Sequence, residues 1–334
     1  MKAAILTALN APLVVDDVEL PQLDVGQVLV KVYASGICGK QINEISGACG
    51  PDKYLPHLLG HEGAGIVQEI GEGVTHVRPG DHVVLHWRKG LGIESLCPKY
   101  SRGGTCVGGG PVTTFNEFAV VSENRLTVVD RDIPFAIAAL MGCAVTTGLG
   151  VVFNDARLSM CESIAVIGCG GVGLNVIQAA ELVGAGPIFA FDINEEKAPL
   201  ARKFGATTFK LISEDHIPHN LDVVVDTTGR PENIARAYEL AGPGGKIIMV
   251  GQPQKGEALT VANFSDHFKG KTLLDSQGGS TDPNRDIPRY LGLYLRGLLK
   301  LDELITHRFP LEQVNEALEV VRSGIAGRAI LEMA

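Results

Sequence analysis

The chain has 334 residues, of which 45% are hydrophobic and 20% are charged, and its formal net charge is −9. This length predicts two domains, and this composition is typical of a folded globular protein rather than a disordered one. The negative charge disfavours nucleic acid and anionic membranes as partners, because both attract surfaces rich in Lys and Arg.

Residues 1–144 form the first predicted domain. Short strand-like segments separated by glycine-containing turns fill it, among them KAAIL, QVLVKVYASG, GAGIVQEIG, DHVVLHW, TTFNEFAVV and NRLTVV. Short strands at this spacing, with few helix signals between them, indicate a compact, mostly β domain.

Residues 145–280 form the second predicted domain, in which strands alternate with helices. Buried-strand patterns occur in SIAVIG, PIFAFD, LDVVVDTTG and GKIIMVG, with helical segments between them. This alternation predicts an α/β fold with a doubly wound parallel sheet, the Rossmann arrangement. Residues 281–334 hold two helical segments and a final strand-like RAILEM, and we expect this C-terminal segment to return to the first domain.

A glycine-rich turn follows the first strand of the second domain. We predict that five of its residues bind a dinucleotide: Gly168, Gly170, Gly171, Val172 and Gly173. A side chain at Gly170 would hold a pyrophosphate away from the helix N-terminus, whose free N–H groups bind it. Asp192 ends the next strand, where a carboxylate accepts hydrogen bonds from a ribose and repels a 2′-phosphate, so NAD is favoured over NADP. The alternative role for Asp192 is to cap the following helix.

Seven cysteines are scattered along the chain without the density of a secreted disulfide scaffold. No signal pattern follows Met1, and the longest apolar stretch, residues 135–145, is too short to span a membrane, so we expect a cytoplasmic protein without a membrane partner. Cysteines in a reducing compartment are core residues, metal ligands or reactive thiols. For Cys169, in the glycine-rich turn, we favour a small loop residue over a reactive thiol.

Three side chains in glycine-rich contexts form a candidate metal site. Cys38 lies in GICG, His61 in GHEG and Cys143 in GCAVTTG. Two thiolates and one imidazole leave a coordination position of zinc open, which a catalytic site requires. The three residues lie far apart in the chain and form no local zinc signature, so spacing alone leaves core positions as an alternative for both cysteines.

Together these motifs resemble the zinc-dependent medium-chain dehydrogenase/reductase family, which includes the alcohol dehydrogenases. The similarity runs essentially end to end, through GICG, LPHLLGHEGAGIV, VRPGDHV, GCAVTTGLG, GCGGVG, FDINEEK and AILEM. The resemblance implies a GroES-like catalytic domain, a Rossmann NAD-binding domain, and one catalytic zinc bound by Cys38, His61 and Cys143. It also implies hydride transfer between an alcohol, aldehyde or ketone and NAD(H), with zinc activating the substrate oxygen.

The resemblance assigns further roles near the cofactor. Thr147 and Val172 would pack on the nicotinamide, and the backbone of Val250 would contact its carboxamide. Lys197 and Asp192 would contact the ribose.

Two further roles implied by the resemblance concern charged residues. Glu62 matches a carboxylate that can approach or transiently bind the metal. Arg328 is placed like a pyrophosphate-binding arginine, with a surface arginine at the start of a strand as an equal alternative.

The segment after Cys38 departs from the family, which usually has Ser or Thr followed by Asp where this chain has Lys40 and Gln41. Gln41 can accept a hydrogen bond from His61 through its amide oxygen, but it supplies no negative charge. Lys40 is a candidate catalytic residue that could move the substrate proton. It could instead bind an anionic or hydroxyl-rich substrate group, or point to solvent.

Asn43 and Trp87 are further pocket candidates by family position, although Trp87 could equally be a core aromatic. Many relatives carry a structural zinc bound by four closely spaced cysteines, whereas the matching residues 88–110 contain only Cys97 and Cys106. Two ligands cannot complete a tetrahedral site, so we predict no structural zinc. By resemblance we expect a homodimer or homotetramer.

The alternatives to this enzyme are a non-catalytic NAD-binding relative and a zinc-free reductase of the same superfamily. The complete set of three ligands, together with Glu62, argues against both. The substrate stays open among primary alcohols or aldehydes, polyols and sugar-like secondary alcohols.

Overall fold

The computed structural model describes residues 1–48, 50–214 and 218–334. In chain order, the strands are β1 (Lys2–Leu6), β2 (Val14–Asp17), β3 (Gln27–Ile37), β4 (His57–Leu58), β5 (Glu62–Ile70), β6 (His82–His86), β7 (Lys99–Arg102), β8 (Thr105–Gly108), β9 (Phe118–Ser122), β10 (Leu126–Val128), β11 (Ile164–Ile167), β12 (Ile188–Asp192), β13 (Thr208–Leu211), β14 (Leu221–Asp226), β15 (Ala241–Met249), β16 (Thr272–Asp275), β17 (Ile305–Pro310) and β18 (Arg328–Glu332). The α-helices are α1 (Gly39–Ser46), α2 (Phe135–Leu140), α3 (Ala144–Gly150), α4 (Gly171–Leu182), α5 (Ala198–Lys203), α6 (Pro231–Leu240), α7 (Phe264–His267), α8 (Pro283–Leu295), α9 (Leu301–Leu304) and α10 (Val314–Arg322). No helix among these residues is both long and apolar enough to cross a membrane.

The elements pack into two compact units. Unit 1 comprises Met1–Cys143, Asp282–Arg296 and Leu301–Ala334. Unit 2 comprises Ala144–Thr281 and Gly297–Lys300.

Unit 1 is mostly β and contains two sheets. One has the strand order β2-β1-β4-β8-β7, and the other has the order β10-β6-β5-β3-β18-β17, with β9 also paired to β3. Strand β18 runs antiparallel to β3, with Ala329 opposite Ile37. The C-terminal strand therefore lies in a sheet whose first five strands come from residues 27–128. Alternate apolar residues of β3, including Val28, Val30 and Val32, are buried in the core of this unit.

Unit 2 contains the doubly wound parallel sheet that the sequence predicts. Its strand order is β13-β12-β11-β14-β15-β16. All four residues of β11 are buried, a continuous apolar run that is typical of a parallel sheet covered on both faces. Strand β11, the first strand of this sheet in the chain, pairs with β12 on one side and with β14 on the other. The strand order therefore reverses direction at β11, and open α/β sheets bind ligands at such a topological switch point.

Candidate active site

Cys38, His61 and Cys143 converge in unit 1. Their ligand atoms, the two Sγ atoms and one imidazole nitrogen, all lie within 4.8 Å of one another. Cys38 joins β3 to α1, and His61 directly precedes β5. Sheet pairing between β3 and β5 brings these two segments together, with Ser35 opposite Gly63. Among the described residues, they form the one group of three or more His, Cys, Asp or Glu side chains that could hold a metal ion.

The chemistry of this group fits zinc. Bond lengths of about 2.3 Å to sulfur and about 2.0 Å to nitrogen place tetrahedral ligands roughly 3.5–4 Å apart, in keeping with the observed cluster. The pKa of Cys38 lies well below its ordinary value because the Cys143 side chain and then His61 hydrogen-bond to it, which outweighs the opposing effect of burial. A low pKa favours the thiolate, the form of cysteine that binds metals.

Gln41 lies between two of the ligands. Its Oε1 accepts a hydrogen bond from the Cys38 backbone N–H at 3.0 Å, and its Nε2 lies 2.6 Å from His61 Nδ1. The expected contact with His61 is therefore present, but it is made by the amide nitrogen instead of the amide oxygen. Because the contact lies at Nδ1, a metal would approach Nε2, and Nδ1 would then carry the hydrogen and face a nitrogen that cannot accept it.

Glu62 and Arg328 form a buried ion pair beside the ligand group. Their side chains are 0% and 5% exposed, and a guanidinium Nη2 faces a Glu62 carboxylate oxygen. A Cβ at Gly36 would lie 2.7 Å from the Glu62 carboxyl carbon and 3.0 Å from Arg328 Nη2, so glycine leaves room for the pair. Arg328 also hydrogen-bonds Cys38, and burial lowers its pKa. Glu62 is not part of the group of ligand atoms formed by Cys38, His61 and Cys143. Arg328 is buried, so the alternative of a surface arginine is wrong.

Three glycines of the turn in unit 2 have different physical roles. Gly168 has φ +95°, which favours glycine. A Cβ at Gly173 would lie 1.8 Å from the Gly168 carbonyl oxygen, so this glycine permits α4 to pack closely against the turn. Gly170 precedes the first residue of α4, and a Cβ there would meet nothing within 4 Å. The helix N-terminus is thus open to an anion at Gly170.

Asp192 is fixed at the edge of the same turn. Its Oδ2 accepts a hydrogen bond from Cys169 N–H at 2.7 Å, and its Oδ1 accepts one from Asn194 N–H at 3.0 Å. The cap of the following helical turn is Asn194, which accepts a hydrogen bond from Glu196 N–H. Lys197 is 4% exposed, and burial lowers its pKa while attraction to Asp192 raises it. The two side chains therefore attract each other at the end of β12.

Cys169 is a buried thiol with 0% exposure. Burial, followed by repulsion from Asp192, raises its pKa well above the ordinary value, and its Sγ contacts the Phe191 carbonyl oxygen at 3.7 Å. The favoured interpretation as a small loop residue agrees with this environment, because a reactive thiol requires a lowered pKa.

The remaining cofactor candidates lie in unit 2, on or next to its regular elements. Thr147 is buried within α3, and Val172 is half-buried in the first turn of α4. Val250 directly follows β15 and donates its N–H to the Asp226 carbonyl oxygen at 2.8 Å.

Two pocket candidates differ in their surroundings. Trp87 packs against the apolar core of unit 1, which supports the alternative of a core aromatic. Lys40 is half-buried on α1 rather than fully exposed to solvent.

Sequence reasoning did not single out Glu44, His57 and Asp52. His57 Nε2 lies 2.8 Å from Asp52 Oδ2, and the two side chains are 16% and 17% exposed. Glu44 interacts electrostatically with His61, Lys40 and His57. The position of Glu44 four residues after Lys40 on a helix was a usable signal, but no local pattern connects Asp52 with His57.

Comparison with known proteins gives consistent matches over the whole chain. The model of the alcohol dehydrogenase GroES-like domain matches residues 24–131, and that of the zinc-binding dehydrogenase matches residues 171–296. A probable S-(hydroxymethyl)glutathione dehydrogenase 1 of Schizosaccharomyces pombe is 32% identical, covering 99% of this chain and 97% of that protein. An alcohol dehydrogenase class-3 of Drosophila melanogaster is 31% identical with the same two coverages, 99% and 97%. The crystal structure of benzyl alcohol dehydrogenase from Acinetobacter calcoaceticus superposes with a TM-score of 0.89 at 28% identity, covering 100% of this chain and 99% of that one.

Proposed function

Because this chain belongs to the zinc-dependent medium-chain dehydrogenase/reductase family and is a zinc- and NAD-dependent oxidoreductase of alcohols, we propose that Cys38, His61 and Cys143 hold its catalytic zinc. The observation that carries this assignment is the convergence of their three ligand atoms within 4.8 Å. A Cys₂His set leaves one position of a tetrahedral metal for the substrate oxygen. Bound there, zinc would supply Lewis-acid chemistry that polarises the substrate oxygen and favours loss of its proton.

The side chains of unit 1 contribute positioning around this metal. The Glu62–Arg328 pair places balanced charges beside Cys38, and Gln41 contacts both Cys38 and His61. We include Glu62 in the metal environment as a residue that can approach the ion. Lys40 is the proposed substrate-contacting residue of α1.

Unit 2 is proposed to bind NAD, which accepts or returns the hydride. The pyrophosphate would lie at the N-terminus of α4, and Asp192 with Lys197 would bind the ribose hydroxyls. The proposed cofactor-binding residues are Gly168, Gly170, Gly171, Val172, Gly173, Asp192, Lys197, Thr147 and Val250. Arg328, in unit 1, is retained as a proposed pyrophosphate contact. Residues 1–144 and 281–334 would thus supply the catalytic domain, and residues 145–280 the NAD-binding domain.

We further propose one zinc per chain, with no structural zinc. Support comes from residues 88–110, whose two cysteines, Cys97 and Cys106, are both exposed. Exposed free thiols, including Cys161, also agree with a reducing, cytoplasmic environment. A homodimer or homotetramer is proposed from family membership. Edge strand β16, whose Leu274 is 37% exposed, is a candidate pairing surface.

The test combines metal analysis with NADH formation on a panel of alcohols, including formaldehyde with glutathione as a source of S-(hydroxymethyl)glutathione. We expect one zinc per chain and zinc-dependent reduction of NAD by at least one alcohol. Cys38→Ala should abolish turnover while NADH still binds, as measured by fluorescence titration. Retained activity in a metal-free Cys38→Ala protein would contradict the assignment, and two tightly bound zincs per chain would contradict the single-metal proposal.

A further inference from the structure

Two amide side chains are buried in α4, the helix that begins at the glycine-rich turn of unit 2. Every residue from Gly173 to Ala180 is buried in this helix. Among them, Asn175 is 0% exposed and Gln178 is 1% exposed, and their spacing of three residues places both side chains on one face. Burying an amide costs free energy unless it is hydrogen-bonded, so the partners of these two side chains show what they do.

The two amides form an unbroken series of three hydrogen bonds that ends at the first residue of α4. The backbone N–H of Lys300 donates to Gln178 Oε1 at 3.0 Å. Gln178 Nε2 donates to Asn175 Oδ1 at 2.6 Å, and Asn175 Nδ2 donates to the Gly171 carbonyl oxygen at 2.6 Å. Lys300 belongs to unit 2, and its Nζ lies 2.7 Å from Glu181 Oε2 on the same helix, so the start of the series is tied to α4.

The chemistry of the two ends fixes the orientation of both amides. The backbone N–H of Lys300 can only donate, so Gln178 turns its oxygen toward Lys300 and its nitrogen toward Asn175. Asn175 then turns its oxygen toward Gln178, which leaves its nitrogen for the Gly171 carbonyl, a group that can only accept. Reversing either amide would place two donors or two acceptors against each other.

The last hydrogen bond of the series acts on a peptide group of the proposed nucleotide site. The Gly171 carbonyl and the Val172 N–H belong to the same peptide bond. Val172 lies in the first turn of α4, where N–H groups have no partner within the helix and can bind an anion. Hydrogen bonds joined in a chain polarise one another, so donation to the Gly171 carbonyl makes the Val172 N–H a stronger donor.

We propose that Asn175 is a positioning residue for the dinucleotide, because it holds and polarises the Gly171–Val172 peptide and so raises the affinity of the α4 N-terminus for the pyrophosphate. This inference rests on the proposed binding of NAD by unit 2. Gln178 and Lys300 keep the Asn175 amide in the required orientation. Asn175 is fully buried and acts through the backbone of the turn.

The experiment measures NADH binding to the full-length, zinc-loaded protein by fluorescence titration, with ADP-ribose and adenosine as competing ligands. ADP-ribose carries the pyrophosphate, whereas adenosine lacks it. Asn175→Ala should raise the dissociation constants of NADH and ADP-ribose by about threefold to tenfold, the range expected for one hydrogen bond. The dissociation constant of adenosine should stay at its wild-type value. The KM for NAD should rise with that of NADH binding, while kcat does not fall.

Asn175→Ser is the matched variant for the donor. Serine is nearly as small as alanine, but its hydroxyl can donate to the carbonyl four residues earlier in a helix, which here is that of Gly171. Asn175→Ser should therefore recover NADH affinity to within about twofold of the wild type. If Asn175→Ala does not fold, Asn175→Leu, which fills more of the space and also lacks a donor, takes its place.

A control variant tests for the general effect of losing a buried amide. Asn116 in unit 1 is 0% exposed, and its Nδ2 donates to the Phe118 carbonyl oxygen at 2.7 Å. Asn116→Ala should lower the thermal midpoint but leave the NADH dissociation constant unchanged. A loss of NADH affinity in Asn116→Ala as large as that in Asn175→Ala would assign the effect to general damage and overturn the inference.

The remaining outcomes separate this inference from the function on which it rests. Unchanged NADH affinity in Asn175→Ala would overturn the inference, as would an equal loss of affinity for ADP-ribose and adenosine. Equal NADH affinities in Asn175→Ala and Asn175→Ser would also overturn it, because the donor would then have no effect. If the wild-type protein binds neither NADH nor ADP-ribose, the proposed function itself fails.

Discussion

Gln41 presents its amide nitrogen to His61, with Nε2 2.6 Å from Nδ1, while its Oε1 accepts the N–H of Cys38. When His61 binds a metal through Nε2, its Nδ1 carries the hydrogen and needs an acceptor. The Gln41 amide has a single oxygen, which already accepts a hydrogen bond from the Cys38 backbone and cannot readily accept a second one from His61. A carboxylate has two oxygens and can accept both hydrogen bonds.

Replacing Gln41 by glutamate is therefore expected to strengthen zinc binding. The Gln41→Glu carboxylate would accept both N–H groups and increase the basicity of the imidazole, slowing zinc loss by about tenfold. Gln41→Leu, the matched control without polar atoms, should speed zinc loss by about tenfold to a hundredfold. The rate of zinc transfer to a chromogenic chelator measures both effects, and equal rates in all three proteins would contradict the argument.

The Glu62–Arg328 pair should show strong energetic coupling. Removing one member leaves the other as an unpaired buried charge, so Glu62→Gln and Arg328→Met should each lower the free energy of unfolding by about 3–5 kcal/mol. The double variant should recover part of this loss because no charge is then left without its partner. Urea unfolding of the four proteins measures the coupling, and simply additive losses would show that the pair is not coupled.

His86 should make stability depend on pH. Its Nδ1 donates to the Arg88 carbonyl oxygen at 2.7 Å, and its Nε2 lies 3.0 Å from the Thr127 hydroxyl, which can donate to the neutral ring. Burial lowers the pKa of His86 from 6.5 to about 4. Because the folded pKa lies below the unfolded one, this contribution is fully present above pH 6.5 and is lost as the pH falls toward 4.

The size of this loss is about 3 kcal/mol, from the difference between the two pKa values. His86→Gln offers a donor and an acceptor but no titrating group. Its unfolding free energy should therefore fall less steeply than that of the wild type between pH 6.5 and about 4. Parallel curves for the two proteins in this interval would assign the pH dependence to other groups.

Gly170 and Gly173 provide a matched pair in the nucleotide-binding turn. Gly170→Ala places a methyl group in open space, so the fold should keep its thermal midpoint while NADH affinity falls by on the order of tenfold or more because the methyl group obstructs a pyrophosphate. Gly173→Ala places a methyl group 1.8 Å from the Gly168 carbonyl oxygen and should also lower the unfolding free energy, by about 1–3 kcal/mol. Calorimetry and NADH fluorescence titration separate the two effects. A large loss of unfolding free energy in Gly170→Ala would contradict the assignment of Gly170 to open space at the helix N-terminus.

Consecutive motifs made much of this molecule predictable. The change from glycine-punctuated strands to alternating strands and helices predicted both architectures, and GCGGVG with Asp192 predicted the turn whose glycine geometry the structure displays. These inferences succeed because neighbouring residues set their own backbone conformation and because side-chain periodicity reports which face is buried. The zinc ligands were identified only through resemblance to a family, since residues so far apart in the chain carry no local signature.

The amino-acid sequence by itself determined the fold class, the strand-to-helix turn and the set of residue types available for metal and cofactor chemistry. Only the tertiary structure decided that Arg328 pairs with Glu62 beside Cys38, that Gln41 faces His61 through its nitrogen, and that His57 Nε2 lies 2.8 Å from Asp52 Oδ2. The physical reason is that the fold class and the turn depend on contacts within a few residues. The three side-chain contacts depend on long-range strand pairing and on the limited number of hydrogen-bond donors and acceptors that are buried together.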